Sequence, residues 1–243
     1  MTPWTWATVT RATKLRAVIV SVNYGDMITR TAPAWRKILP AGTLSVVTSP
    51  EDLETQAVCR DLDIPVTVTD AFTRIDETCH AGGDPTFNCA LAMDEALGLA
   101  GELHPRPAIG ELIVNINADC YPFGTWPNDG DIHVGMLYGF WRYHCLTPKE
   151  FGQFVAGTRP IGKFPRMKNS GGRPVGYFQM WRYREGERFR SYPNAGKYDT
   201  HFCDRWAGHM QMRGEIGLLH LGEQKDWDNW RSRVVPRWEP VQA

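Results

Sequence analysis

The residues best suited to chemistry follow one apolar run. Residues 112–116, Leu-Ile-Val-Asn-Ile, are rich in β-branched side chains, and Asn117, Ala118 and Asp119 come directly after them. A short apolar run that is bounded by a turn indicates a buried strand. Amide and carboxylate oxygens at its end are hard ligands that suit Mg²⁺ or Mn²⁺. The alternative is that both side chains only cap the turn that ends the strand.

The elements that would position these residues alternate between strands and helices. Strand-like runs lie at 15–22, 44–48 and 64–70, and helices are predicted over 29–39, 50–62 and 87–99. This order predicts an α/β fold with a mostly parallel central sheet that is flanked by helices. Ligands of such sheets bind beyond the carboxyl ends of the strands. Asp119 is the first acid after the apolar run and is therefore placed where a ligand is expected.

The second half of the sequence predicts a smaller antiparallel portion. Strand-like runs lie at 132–143, 175–184 and 188–192, and a capping box formed by Thr147 and Glu150 predicts a helix that continues to residue 155. Residues 157–174 hold five cations and no acids among many turn formers, which is typical of a mobile loop. Residues 1–16 show no clear period.

The segment Asn117-Ala118-Asp119 resembles the Asp-x-Asp motif of GT-A-fold, nucleotide-sugar-dependent glycosyltransferases, in particular those similar to glycosyltransferase family 2, with Asn in place of the first acid. The resemblance implies a GT-A-like, Rossmann-like sheet and Mn²⁺ or Mg²⁺ bound mainly by Asp119. It also implies transfer of a sugar from a nucleoside diphosphate sugar, with UDP-sugar favoured, to an acceptor hydroxyl. One domain, 1–243, would contain a nucleotide-sugar half at 15–124 and an acceptor half at 125–235.

The same resemblance implies roles for residues far from the motif. His220 matches a late histidine that completes the metal site, although a histidine in an apolar run is often a core residue. Asp199 matches the general base of inverting members, or it caps a helix. The expected contacts to the donor are polar residues near strand ends, near the helix at 87–99 and in the basic loop: Asn23, Tyr24, Asp26, Asp70, Asn88, Asn117 and Lys163. The structural alternatives are turn formation at 23–26 and helix capping by Asn88.

Charge is divided unevenly along a chain whose formal net charge is zero. Residues 1–139 hold 9 Lys/Arg against 17 Asp/Glu, and residues 140–243 hold 18 against 10. This asymmetry predicts an anionic partner for the second half.

Residues 159–190 combine nine cations with six interleaved aromatics: Phe164, Tyr177, Phe178, Trp181, Tyr183 and Phe189. Cations and aromatics together are components of nucleic-acid sites. One hypothesis is therefore a viral, DNA-modifying member that glycosylates a hydroxylated base. The alternative is that the aromatics are core.

Other features limit the class of protein. The apolar run near the start is too short for a signal sequence or a membrane span, and the six cysteines have no zinc-type spacing. We therefore expect a protein of the cytoplasm with reduced thiols, or a virus-encoded protein that acts in the host cytoplasm. Two other functions remain open at this point. A sugar nucleotidyltransferase would normally carry a Gly-rich phosphate loop after the first strand, and a non-catalytic nucleotide-sugar-binding protein would account for Asn117.

Overall fold

The computed structural model describes residues 14–74, 87–100, 103–167, 173–174, 177–189, 198–206 and 210–222. Its strands and helices, in chain order, are β1 (Leu15–Val20), α1 (Gly25–Ile38), β2 (Leu44–Thr48), α2 (Leu53–Asp61), β3 (Val66–Val68), α3 (Cys89–Leu97), β4 (Leu112–Asn117), β5 (Cys120–Gly124), β6 (Leu137–Cys145), α4 (Pro148–Val155), β7 (Phe178–Arg182), α5 (Tyr198–Asp204) and β8 (Met210–Leu221).

The strands form one eight-stranded sheet in the order β3-β2-β1-β4-β7-β6-β8-β5. Strands β3, β2, β1 and β4 are parallel, and β7 joins β4 in the antiparallel direction. Strand β6 is antiparallel to β7 and parallel to β8, and β5 is antiparallel to β8. The predicted α/β class, a mostly parallel sheet with an antiparallel portion, is confirmed. After β1, the chain places β2 and then β3 on one side of β1. It then returns to place β4 on the other side of β1, so a topological switch point lies between β1 and β4.

The apolar runs of β1, β2 and β4 are largely buried, as their lack of a polar face predicts, whereas Val68 of the edge strand β3 is exposed. Along β1, Ala17 and Ile19 belong to a core cluster with Trp35 of α1. Val18 and Val20 belong to a second cluster with the apolar residues of α3 and α5. Successive side chains of a strand point to opposite faces, so β1 packs against helices on both sides.

Several element boundaries differ from the sequence-based prediction. Residues 120–124, predicted as a turn, form β5 because they pair along β8, where Cys120 lies opposite His220. Helix α1 begins at Gly25 rather than at residue 29, since the N–H groups of Met27 and Ile28 bond to the Tyr24 carbonyl. Residues 188–189 are not in a strand, and 190–192 lie outside the described residues. His220 lies on β8, which extends over 12 residues.

The thiols fit the expectation for reduced cysteines. Five cysteines are buried and free, and Cys79 lies outside the described residues: Cys59, Cys89, Cys120, Cys145 and Cys203. Among the helices that the structure describes, none combines the length and the apolar character that a membrane span requires.

Helix α1 holds the turn that connects β4 and β5. The Thr31 hydroxyl donates to the Ala118 carbonyl at 2.8 Å, and the Trp35 indole N–H donates to the Cys120 carbonyl at 2.8 Å. Between these two groups, the Asp119 carbonyl accepts the N–H of Leu221 from β8 at 2.9 Å. All three successive carbonyls of the turn are therefore bonded to other elements, which fixes the backbone of Asp119.

We expect Thr31→Val to lower the free energy of unfolding by about 1 to 3 kcal/mol, because the nearly isosteric side chain leaves the buried Ala118 carbonyl without this donor. Urea unfolding measures the effect. The matched control is Thr29→Val on the same helix, where the exposed hydroxyl donates only to the Asp26 carbonyl. A change within about 0.5 kcal/mol is expected there. Equal losses in the two variants would contradict the role that we assign to Thr31.

Candidate functional site

The site is centred on a contact between two residues that are distant in sequence. Nε2 of His220 lies 3.1 Å from Oδ2 of Asp119, and the side chains are 2% and 14% exposed. The register of β5 and β8 causes this convergence, because Cys120 pairs with His220 and Asp119 immediately precedes β5. The contact lies just past the carboxyl end of β4, next to the topological switch point.

Tyr177 connects this contact to a buried arginine. Its ring centroid lies 4.5 Å from that of His220, and the guanidinium carbon of Arg142 lies 4.2 Å from the Tyr177 ring centroid. The Tyr177 backbone has φ 67°, a left-handed conformation that is uncommon for a bulky residue. Such strain is concentrated at functional sites. Strand β6 also brings His144 into register with His220, and the two rings meet edge to face at 5.9 Å.

The cluster contains buried polar atoms that have no partner among the described residues. They are Asn117 Oδ1, Arg142 Nη1, His144 Nδ1, Tyr177 OH and His220 Nδ1. Buried polar groups in proteins are almost always hydrogen-bonded. Such a group of unpaired donors and acceptors is expected where a polar ligand binds.

Burial and nearby charge shift the ionisation of this cluster. Burial, with a contribution from the Asp119 carboxylate, raises the pKa of the Tyr177 hydroxyl well above its usual range. Burial lowers the pKa of Arg142, and the charges of Asp199 and Asp119 act against that shift. A guanidinium nevertheless stays protonated in proteins. The pKa of His144 is lowered by burial and by the neighbouring His220 and Arg142.

The donor set of Asp119 and His220 fits a divalent ion that is shared with a substrate. Within the described residues, no group of three His, Cys, Asp or Glu side chains is placed to hold a metal by itself. Mg²⁺ and Mn²⁺ commonly take one or two protein ligands and complete their shell with phosphate oxygens and water. Adjacent ligands at about 2.1 Å from an octahedral ion are about 3 Å apart. The observed separation of 3.1 Å agrees with that value.

Four of the predicted donor contacts lie at the same edge of the sheet. Asn117 pairs with Val20, so β4 and β1 end side by side. The chain then continues from β1 into Asn23, whose N–H donates to Oδ2 of Asp52 at 2.6 Å and whose φ is 61°. Tyr24 precedes α1 and Asp26 lies in its first turn. Asn23, Tyr24, Asp26 and Asn117 are thus placed near the β1/β4 switch point.

Three other predicted contacts are not joined to Asp119 by any contact between described residues. Asn88 caps α3, since its Oδ1 accepts the N–H of Leu91 at 3.1 Å. Asp70 follows β3 with a side chain that is 69% exposed and pairs with Arg74. Lys163 is exposed at the end of a short 3₁₀ helix. Their roles toward a donor remain predictions.

Asp199 lies in the first turn of α5 and is buried, with 7% exposure. Its Oδ1 accepts the N–H of Thr200 at 2.7 Å. Its negative charge opposes the lowering of the Arg142 pKa by burial. The Asp199 carbonyl accepts an N–H of the Gln179 side chain at 3.1 Å, which connects the start of α5 to β7. The role of Asp199 as a base remains a prediction.

The aromatic side chains of the stretch 159–190 belong to the core and not to an exposed surface. The six aromatics that alternate with its cations are all buried: Phe164, Tyr177, Phe178, Trp181, Tyr183 and Phe189. Five of its cations form ion pairs with acids: Arg159, Arg173, Arg182, Arg184 and Arg188. The core interpretation of the aromatics is therefore the correct one. Trp181, Tyr183 and Phe189 pack in the cluster that contains α3 and α5, Tyr177 and Phe178 pack in the cluster that contains α1, and Phe164 packs in a third cluster with residues of β8.

The described part of the predicted mobile loop packs along β6. The N–H of His144 donates to the Pro165 carbonyl at 2.9 Å, and the N–H of Met167 donates to the Arg142 carbonyl at 2.9 Å. The guanidinium of Arg166 stacks over the Trp141 ring at 3.6 Å. Residues 168–172 lie outside the described residues.

Sequence reasoning missed three members of the site. Arg142 carried a signal, since a cation in a run of apolar and aromatic residues predicted as a strand is unusual. His144 lies two positions further along the same strand and shares its face. Tyr177 carried no signal, because a left-handed backbone at a bulky residue is not predictable from its type.

Comparison with known proteins gave matches only among solved structures. No protein-family model matches the chain, and no curated protein matches it. The chain is similar to glucosyl-3-phosphoglycerate synthase from Mycobacterium tuberculosis in complex with Mg²⁺ and uridine diphosphate, with a TM-score of 0.46 and 14% identity over 89% of this chain and 74% of that one. The same synthase with Mn²⁺, uridine diphosphate and glucosyl-3-phosphoglycerate gives a TM-score of 0.46 and 13% identity over 89% and 74% of the two chains.

A further similarity is to the bifunctional glycosyltransferase WbbM, with a TM-score of 0.39 and 9% identity over 84% of this chain and 39% of that one. These TM-scores and identities indicate a distant similarity of the backbone fold, from which no activity of this chain follows.

We expect Cys120 to be inert toward iodoacetamide in the folded protein. Burial, followed by the charge of Asp119, raises the pKa of this thiol well above its usual range, and the thiolate is the reactive form. Peptide mass spectrometry after labelling at neutral pH tests this, with the urea-unfolded chain as the fully labelled reference. Rapid labelling of Cys120 in the folded chain would show that the thiol is accessible as a nucleophile.

Proposed function

We propose that the chain is a metal-dependent glycosyltransferase, which moves a sugar from a nucleoside diphosphate sugar, with UDP-sugar favoured, to an acceptor hydroxyl. The observation that carries the proposal is the convergence of Asp119 and His220 beside the β1/β4 switch point. Open α/β sheets bind ligands at this position, and the two side chains form a donor set for an ion that is shared with a diphosphate.

Asp119 and His220 would hold Mn²⁺ or Mg²⁺, with Asn117 nearby. When bound, the ion would offset the negative charge that develops on the leaving diphosphate. Asn23, Tyr24 and Asp26 would contact the base and ribose of the donor, because they follow β1 at the same edge of the sheet. Asp70, Asn88 and Lys163 are further proposed donor contacts. In this division, residues 15–124 bind the nucleotide sugar and residues 125–235 bind the acceptor.

Asp199 would act as the general base if the transfer inverts the anomeric centre. A general base must lie within hydrogen-bond reach of the hydroxyl group of the acceptor substrate, and a carboxylate can take the proton of that hydroxyl. Support comes from the burial of Asp199 in the first turn of α5 and from the effect of its charge on Arg142. The competing role is that of a polar group that bonds the start of α5.

One alternative function is less compatible with the structure. A sugar nucleotidyltransferase needs a phosphate-binding loop after the first strand, yet β1 ends at Val20 and α1 already begins at Gly25. The other alternative, a non-catalytic nucleotide-sugar-binding protein, would use the same residues. A turnover assay distinguishes it from the enzyme.

We expect Mn²⁺-dependent transfer or donor hydrolysis with at least one member of a panel of nucleotide sugars. Asp119→Asn and His220→Gln should each lower the rate by about 100-fold or more, because stabilisation of the leaving diphosphate by the ion contributes several kcal/mol. A chelator should abolish the activity, and added Mn²⁺ should restore it.

Matched controls are Asp61→Asn and His104→Gln. Asp61 is exposed at the end of α2, and His104 hydrogen-bonds to Thr67 of β3. Both variants should retain the wild-type rate. The proposal fails if no donor is turned over with any divalent ion, or if Asp119→Asn remains fully active. Binding of uridine diphosphate with Mn²⁺ in calorimetry, without turnover, would instead identify a binding protein.

A DNA acceptor is not favoured, because the aromatics that would stack on bases are buried. We expect no salt-sensitive shift of a duplex in a gel at low ionic strength, since phosphate-tracking cations would have to be free of acidic partners. A clear shift at low salt that disappears as salt rises would restore nucleic acid as a candidate acceptor.

A further inference from the structure

Arg142 combines deep burial with the lack of an ion-pair partner among the described residues. Its residue is 6% exposed, and its Nη1 has no hydrogen-bond partner among the described residues. The guanidinium stacks on the Tyr177 ring at 4.2 Å. The charges of Asp199 and Asp119 act on it, yet neither carboxylate is within ion-pair distance in the part of the chain that the structure describes.

Less buried arginines of the described chain are better paired. Arg16 bonds to Glu111 and to two backbone carbonyls. Arg182 bonds to Asp129 and to the carbonyls of Ile132 and Gly110. The ordinary arrangement in this fold is thus a guanidinium that is satisfied by acids and carbonyls. Arg142 departs from it at the site where an ion and a substrate are proposed to bind.

An unpaired buried charge is costly, and it persists when a ligand supplies the missing partner. A fixed guanidinium fork matches the paired oxygens of a phosphate or carboxylate group. Two neighbouring unpaired groups, the Tyr177 hydroxyl and Nδ1 of His144, could also donate hydrogen bonds to such oxygens. A neutral sugar hydroxyl would not compensate the charge.

We propose that Arg142 binds an oxyanion, a phosphate or carboxylate group, that belongs to the acceptor. The identity of the ligand rests on the proposed function. In that function the ion held by Asp119 and His220 binds the diphosphate of the donor, so the anion left for Arg142 belongs to the second substrate, the acceptor. Arg142 also lies near Asp199, the proposed base. The acceptor class is therefore a small hydroxylated molecule that carries a phosphate or a carboxylate. The diphosphate of the donor also carries oxyanions that the Arg142 guanidinium could bind, so the experiment must distinguish the donor from the acceptor.

The experiment uses inorganic phosphate as the probe and the full chain as the protein. Calorimetric titrations are made without additions and then with Mn²⁺ and uridine diphosphate at saturation. The variants are Arg142→Met and Arg142→Lys, and the control is Arg60→Met, which removes an exposed cation on α2. Thermal unfolding without phosphate is measured for each variant.

Arg142→Met should weaken phosphate binding by about 10- to 100-fold, which corresponds to the loss of charge-assisted hydrogen bonds. Arg142→Lys should give a smaller loss, because it keeps the charge and loses the fork. Arg60→Met should bind as the wild type does. The Tm of Arg142→Met should stay within about 2 °C of wild type or rise, because the variant removes an unpaired buried charge.

Phosphate binding that persists with Mn²⁺ and uridine diphosphate supports an acceptor anion. Competition between phosphate and uridine diphosphate, with weaker binding of the nucleotide by Arg142→Met, would assign Arg142 to the donor and overturn the acceptor assignment. Unchanged phosphate affinity in Arg142→Met, or no phosphate binding by the wild type, would overturn the anion site itself. If the protein binds phosphate but binds neither Mn²⁺ nor uridine diphosphate, the result would count against the proposed function. The anion site would still be supported.

Discussion

The site depends on how firmly residues 118–120 are held. The carbonyls of Ala118, Asp119 and Cys120 accept hydrogen bonds from α1 and β8, and the N–H of Ala118 donates to the Val20 carbonyl of β1 at 3.1 Å. Three different elements therefore define the position of one carboxylate. A metal ligand must be placed to within a fraction of an ångström, and such precision requires a backbone that is held independently of the ligand.

The polar cluster around this turn carries features that reduce stability. Arg142, His144, Tyr177 and His220 are packed into an apolar sheet with several unpaired polar atoms, and the Tyr177 backbone adopts an uncommon conformation. Each of these features costs free energy in the unliganded protein. Elsewhere in the described chain, buried carboxylates have partners: Glu111 pairs with Arg16, Glu95 pairs with Arg74, and Asp52 accepts hydrogen bonds from Thr48 and from the N–H groups of Asn23 and Thr55. The contrast distinguishes the site from the rest of the core.

The two halves of the sequence are joined through one sheet. Strand β4 of the first half pairs with β7 of the second, and β5 pairs with β8. The pairing of strands from the two halves brings cations of the second half next to acids of the first. Arg182 pairs with Asp129, and Arg188 pairs with Asp94. The net positive charge of residues 140–243 is thus reduced locally by acids from the first half, which leaves Arg142 as a buried cation without an acid partner among the described residues.

The sequence by itself determined the local elements and the candidates for the site. The apolar runs of β1, β2 and β4, the caps of Asn88 and Thr147, and the turn after β4 were predictable, because hydrophobic period and capping chemistry act over a few residues. Asp119 and His220 were predictable as candidates from their positions after and within apolar runs. Only the tertiary structure decided that they meet, because the β5 and β8 register is a long-range pairing that no local pattern specifies. It likewise decided that the aromatics are core and that Arg142 has no acidic partner among the described residues, since burial and ion pairing depend on which distant segments the fold brings together.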